Sequence, residues 1–393
     1  MKLKLLGVLA IGLLTSLHAF SEVQINGFAS VVMGVDLEDD GNPTGDYDGR
    51  VDNLQESRVA LQWAADMGDG MRFVGQTMAR GNDTDGFVLN YDWAYFDINV
   101  GNSGKLKMGR LRVPFYKYSD YLDVGYAYHW IAPPKSMYSL SFSNADGLSY
   151  QHNFTNGPLE HSVNVMFGRY QGTLKLGGSP TPGTLNNLVA VNWSGAIGNH
   201  EFYAAYAQAK LDIEAATLTT ASASLGGNSV ADLAADPNDV LMKGDLGSFV
   251  GVGYKGVFGD INVFAEYSIV TVEDSILQDS AGGYLGMSYG MGDYTYHLTY
   301  GVEEDTGQDI AASNALGAAT TATLKTVGQT LGNRSNEGEA TTITVGVRKD
   351  LGTSSAFKVD LSSYTEDRYQ VTGDAAKSEE TALLLRVALE TMF

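Results

Sequence analysis

The sequence predicts an all-β chain, a closed transmembrane barrel of sixteen antiparallel strands, and three observations predict it. Apolar and polar residues alternate with a period of two along most of the chain. The connections between the alternating stretches are by turns short and long. The one long apolar run lies at the amino terminus and has the form of an export signal, so no segment elsewhere could cross a bilayer as a helix of about 20 residues. Composition narrows the function classes. Cys is 0, which excludes a disulfide scaffold, a thiol enzyme and a cysteine-based zinc module. Lys+Arg number 25 against 46 Asp+Glu, a net charge of -21, which is the wrong sign for wrapping nucleic acid. Hydrophobic residues at 44% exclude disorder over most of the chain.

The chain begins Met1-Lys2-Leu3-Lys4, continues with apolar residues and glycine from Leu5 to Leu14, and then runs through small and polar residues to Ser21. A charged start, an apolar stretch too short to span and a cut after Ala19 or Ser21 predict a cleaved signal peptide over 1–21, with the barrel over 22–393. A packed amino-terminal helix would show a polar face, which this segment lacks. Loss of Lys2 and Lys4 leaves 25 − 2 = 23 basic residues against 46 acidic ones.

The first strand runs from Val23 to Leu37, with Val23, Ile25, Ala29, Val31, Met33 and Val35 on one parity and Gln24, Asn26, Ser30 and Asp36 on the other. The pattern repeats around Val59, Leu61 and Trp63, around Met71 and Phe73, and around Leu106 and Met108. Between the last two, residues 87–100 carry aromatics on both faces. Further strands are read at 148–154, 162–170, 187–194, 201–211, 247–258, 261–272, 282–290, 294–303, 340–348, 356–364 and 381–393. An even number of strands lets both ends of the barrel lie on one side.

Short links fall at 67–70, 101–104, 155–158, 195–199, 259–260, 291–293 and 350–354. Long polar stretches fall near 38–52, 111–139, 171–186, 212–246, 304–339 and 365–380, with shorter members of that series near 81–86 and 273–281. Bacterial membrane barrels sort their turns in this way, short on the periplasmic side and long outside. A secreted β-sandwich or β-helix has no reason to do so. A closed barrel is also the one β-structure that satisfies every backbone group in lipid.

The last strand reads Leu383-Leu384-Leu385-Arg386-Val387-Ala388-Leu389-Glu390-Thr391-Met392-Phe393, an alternating run closing on Phe. With the opening Val23-Gln24-Ile25-Asn26-Gly27-Phe28 and the segment Lys107-Met108-Gly109-Arg110 followed by Pro114-Phe115-Tyr116, the chain resembles the Gram-negative general porins. The resemblance implies an outer-membrane barrel that associates as a homotrimer among lipid and lipopolysaccharide and passes ions and small hydrophilic solutes, with no cofactor. It also implies that the third outer loop, here about 111–139, folds into the lumen and constricts it. Seven aromatic residues from Phe115 to Trp130 suit a loop packed against a wall; contact with a partner subunit or lipopolysaccharide would use them equally.

By strand parity Arg58, Arg72, Gln76, Lys105 and Lys107 share the polar face, the lumen side of a water-filled barrel. Arg110 has the opposite parity, and the family's inward arginine at this motif would need a bulge at Gly109. On the loop, Asp120 and Asp123 would face this basic wall, Arg112 and Lys117 make the loop locally basic, and Tyr118, Tyr121, Tyr126 and Trp130 could form a sliding surface for a solute. Opposed charges across a narrow water-filled gap create a transverse field that orients dipolar solutes.

Other motifs are weak. Gly251-Val252-Gly253-Tyr254-Lys255-Gly256 matches a dinucleotide fingerprint, and Gly286-Met287-Ser288-Tyr289-Gly290 a nucleophile elbow, but each lies in an alternating strand where a strand–turn–helix is required. Asp36-Leu37-Glu38-Asp39-Asp40-Gly41 opens like a calcium loop, yet its twelfth position is Tyr47 instead of a bidentate Glu. The 6 histidines show no metal-binding spacing. The sequence therefore predicts passive diffusion through a porin, with no catalytic or metal site. The alternatives are a substrate-selective channel, a barrel hydrolase and an adhesin.

Overall fold

In the computed structural model the described residues are 23–38, 47–82, 86–176, 179–214, 242–273, 275, 277–306, 338–369 and 377–393. The expected signal peptide over 1–21 lies outside them, as do most of the long connections near 212–246 and 304–339. Sixteen strands close into one barrel in which every strand pairs with its sequence neighbours and β1 pairs with β16. They are β1 (Val23–Asp36), β2 (Arg58–Gly68), β3 (Met71–Asn82), β4 (Gly86–Val100), β5 (Gly104–Arg112), β6 (Asn144–Asn156), β7 (Leu159–Leu176) and β8 (Ser179–Ile197). The second half comprises β9 (His200–Ile213), β10 (Lys243–Phe258), β11 (Ile261–Val272), β12 (Asp279–Met291), β13 (Tyr294–Thr306), β14 (Gly338–Asp350), β15 (Ser355–Tyr369) and β16 (Lys377–Met392).

Period-two patterning becomes two faces. Val31 and Met33 of β1, Val59 and Leu61 of β2, Leu285 and Met287 of β12, and Tyr296, Leu298 and Tyr300 of β13 are exposed apolar side chains on the outward parity. The alternate positions carry Ser30, Gln76, Glu266, Ser288, His297, Thr299, Lys358 and Asp360, all buried. An apolar outside and polar inside is the inverse of a soluble domain and the arrangement that lipid demands. Closure leaves no unpaired edge. At the seam, Gly27 N–H donates to Phe393 O (2.7 Å) and Phe393 N–H to Gly27 O (2.9 Å), so the carboxyl-terminal Phe completes the ladder.

The short links are tight turns. Gly259 (φ +64°) and Gly292 (φ +61°) sit in the left-handed region, where a Cβ would be strained, and this is why glycine recurs at these links.

Two long connections are shorter than the sequence suggests. Residues 171–186 read as a polar loop because of Pro180, Pro182 and the surrounding glycines, but β7 and β8 remain paired up to Leu176 opposite Ser179. β9 ends at Ile213 opposite Gly183, and both prolines lie past that last pair, Pro182 O still accepting the Glu214 N–H (3.1 Å), so they fall at the end of the β8–β9 ladder and not in its interior. Likewise β15 and β16 run into the stretch expected as a loop over 365–380, pairing as far as Tyr369 opposite Lys377. The two-faced aromatics of β4 come from a bulge: Gln76 pairs with Trp93 and Thr77 with Tyr91, so Asp92 is the extra residue and parity changes across it.

Candidate functional site

Residues 113–143 join β5 to β6, and around them the charges of the barrel converge. Two single-turn 3-10 helices, Ser119–Tyr121 and Gly125–Ala127, flank Asp123. Its carboxylate accepts from three strands: Arg58 Nη1 of β2 at 3.1 Å, Arg80 Nη2 of β3 at 3.0 Å and Arg112 Nη2 of β5 at 2.6 Å. Arg80 also forks onto Asp92 at 2.8 and 2.7 Å, and Arg112 lies over the Trp93 ring. The β4 bulge turns both Asp92 and Trp93 toward this cluster. Burial pushes the Asp123 carboxyl up, but Arg80, Arg112 and Arg58 more than offset it and hold the group far below the ordinary carboxylate range. Most of the cluster is withdrawn from solvent, with side-chain exposures of 14% for Arg58, 6% for Arg112 and 10% for Asp123, while Arg80 remains 36% exposed.

The same segment is tied to the far strands. Glu266 of β11 accepts from Lys117 N–H (2.9 Å) and from the hydroxyls of Tyr138 and Tyr284, while Lys117 Nζ reaches Glu201 of β9. Tyr118 packs against Tyr121, Tyr128 and Trp130 in edge geometry. Trp130 Nε1–H donates to Thr299 Oγ1 of β13 (2.8 Å), and Ile131 N–H to Asp360 Oδ2 of β15 (3.0 Å). Lys358 of β15 donates to the carbonyls of Gly125 and Trp130 and pairs with Glu390 of β16, all out of reach of solvent. Arg348 of β14 donates to the carbonyls of Tyr126 and Tyr128 and stacks on the Tyr126 ring at 4.5 Å. His129 is wedged between Trp130, Phe264 and His297; burial, then the charge of His297 and of Lys358, push its pKa well below that of a free imidazole, so it is neutral at pH 7.

A second group of charges lies toward the short turns. Asp97 of β4 is 3.0 Å from Arg72 Nη2 and 3.7 Å from Lys105 Nζ, and Lys107 Nζ stands 5.6 Å from the centroid of the Tyr95 ring. Asp120 and Tyr121 are exposed on the connecting segment.

The structure thus brings Arg58, Arg112 and Asp123 together, keeps Arg72, Lys105 and Lys107 as a separate group, and leaves Arg110 apart from both. Arg110 and Asp146 form a two-pronged pair at 2.8 and 3.1 Å on the outward parity shared with Met108 and Leu148. Gly109 does adopt φ +138°, but Tyr95 pairs with Gly109 and Ala94 with Arg110 without a register shift, so no bulge turns the arginine inward. Arg80, Lys358 and Glu390 were legible by strand parity, since Arg80 follows Arg72 and Gln76 at even spacing. Asp92 was hidden by the bulge, and Glu266 only gains meaning from the tyrosines that reach it.

A family model described as Gram-negative porin matches residues 7–369. No curated protein matches the chain. Among solved structures the chain is similar to the outer membrane channel DcaP of Acinetobacter baumannii, with 15% identity, 95% of this chain and 98% of that chain covered, and a TM-score of 0.61. It is also similar to the anion-selective porin of Comamonas acidovorans, with 14% identity, 95% and 99% covered, and a TM-score of 0.55. OmpT, an outer membrane protein of Vibrio cholerae in its trimer form, matches with 12% identity, 95% and 99% covered, and a TM-score of 0.54. At these identities the structural likeness is one of fold, while the family match spans most of the sequence. The chain belongs to the Gram-negative porin family and is a diffusion channel of the bacterial outer membrane.

Proposed function

We propose that this channel is a homotrimeric porin whose water-filled pore lets ions and small hydrophilic solutes diffuse down their gradients, and whose constriction is formed by residues 113–143 folded into the lumen. One observation carries the reading: the connecting segment reaches polar-parity side chains across the barrel, Asp123 binding Arg58 and Arg80 of β2 and β3 while the Lys117 N–H and the Tyr138 hydroxyl bind Glu266 of β11, the strand that stands opposite β3 in the ring. A loop that touches both walls leaves a narrowed passage between them. The trimer form of the Vibrio cholerae protein of similar fold supports three copies. In this reading residues 1–21 are removed on export, the apolar belt meets lipid and lipopolysaccharide, and no bond chemistry takes place.

Single-channel recording of the purified protein in a planar bilayer tests this. Ohmic steps grouped in threes are expected, with no hydrolysis of ester or peptide substrates. Absence of conductance from correctly folded protein would overturn the channel reading.

A further inference from the structure

The two groups of cations differ in what they offer a passing solute. Arg58, Arg80 and Arg112 share the buried carboxylates of Asp92 and Asp123, so two of their three charges are matched in holding the connecting segment; Arg58 and Arg112 are withdrawn from solvent, and Arg80 keeps 36% of its side chain exposed while engaging both carboxylates. Arg72 and Lys105 remain 47% and 43% exposed around the one buried carboxylate of Asp97. Lys107 has no carboxylate partner among the described residues. Asp66 stands across from Arg72 in register, but its carboxylate accepts the Gly68 N–H of its own turn.

Strand register sets these cations beside a run of hydrogen-bonding groups. One row crosses the wall as Arg72, Asp97, Lys107 and Ser149. The adjacent row reads Asn99, Lys105, Gln151, Asn164 and Asn192. The amides are linked laterally, Gln151 donating to Ser162 and Ser149 to Asn164, which orients them along the wall. Cations with surplus charge beside a strip of amides match a solute that carries a carboxylate and several hydroxyls.

Resting on the channel reading above, we infer that this β3–β8 patch is the recognition surface of the pore, that it makes the pore anion-preferring against the net charge of -21, and that its preferred solutes are small hydroxylated carboxylates. The arginine cluster on Asp123 positions the constriction, and the exposed Arg72 with the partly exposed Lys105 and Lys107 select.

The test uses the full-length protein in planar bilayers, with reversal potentials under a KCl gradient and titration with potassium gluconate as the probe. Wild-type channels are expected to prefer chloride over potassium, and gluconate to reduce the KCl current saturably. The double variant Lys105→Gln/Lys107→Gln lowers the chloride-to-potassium permeability ratio about two- to five-fold and relieves the gluconate block, with step size otherwise maintained. Asp97→Asn raises anion preference. Gln151→Ala/Asn164→Ala weakens the gluconate block and leaves the chloride preference intact. A cation-preferring wild type, or a double variant with the wild-type ratio, overturns the inference while the channel reading stands. Folded protein without ohmic steps overturns both.

Discussion

Replacing Asp123 by Asn removes one charge and nothing in volume, and so isolates the electrostatic seat of the connecting segment. In the wild type that carboxylate is bound by Arg58, Arg80 and Arg112 at 3.1, 3.0 and 2.6 Å, with 10% of the side chain exposed. Without it Arg80 keeps Asp92, Arg112 reaches that carboxylate only at 3.9 Å, and Arg58 loses the carboxylate it pairs with. Breaking a buried ion pair by removing one partner costs about 3–5 kcal/mol, because the remaining charges are left uncompensated. At 1.4 kcal/mol for each factor of ten, the docked arrangement around residues 119–126 loses roughly two to three and a half powers of ten in population. The barrel itself persists, since its strands are held by a closed ladder that Asp123 does not enter. The expected phenotype is therefore a folded channel with larger and noisier open-state current, read by single-channel recording. The acid limb is equally specific. The Asp123 pKa is depressed on folding, so its contribution is complete above the unfolded value of about 3.9 and is lost as pH falls toward the folded one. Wild-type channels should stay quiet at pH 5, whereas Asp123→Asn channels are noisy at both pH 5 and pH 7. A variant with wild-type conductance, noise and heat stability would refute the reasoning.

Further outcomes follow from the other anchors. Lys358→Met leaves Glu390 buried without its partner and should cost about 3–5 kcal/mol, seen as a lower temperature for loss of the compact barrel on a gel; adding Glu390→Leu should recover much of it, and a single variant as stable as wild type would contradict the assignment. His129 is held neutral by burial, so its contribution is full above the unfolded value of about 6.5 and declines as pH falls, with a slope of at most about 1.4 kcal/mol per pH unit. His129→Gln should flatten that slope between pH 6.5 and 5 in thermal unfolding. Arg110→Ala breaks an exposed outward pair and should change stability by less than about 1 kcal/mol without moving the reversal potential; a shift in selectivity would return this arginine to the pore.

What was legible in the sequence was whatever repeats locally. Side chains of a strand alternate between faces every residue, so Val31 and Met33 declare the lipid side and Arg58 and Arg72 the polar side with no knowledge of any neighbour. Glycine at the short links marks turns for an equally local reason, and sorting of turn lengths then implies a barrel with two unlike ends. Where a local signal could mislead, it did. Pro180 and Pro182 suggested a loop because a proline lacks its N–H, and only the last β8–β9 pair, Gly183 with Ile213, shows that both lie beyond the interior of that ladder. The motif around Gly109 suggested an inward arginine, and only the unbroken register with Tyr95 and Ala94 keeps Arg110 outside.

Tertiary structure alone decided which charges meet. Asp123 lies 65 residues from Arg58 and 43 from Arg80, and Lys358 lies 233 residues from the Gly125 carbonyl it binds. No pattern of period two encodes those separations, because they depend on how closure of the barrel brings distant strands to one connecting segment. Parity therefore named the polar face as a whole. It could not divide that face into arginines gathered on Asp123 and cations left around Asp97, since which carboxylate a residue meets depends on what packs against it from the other side.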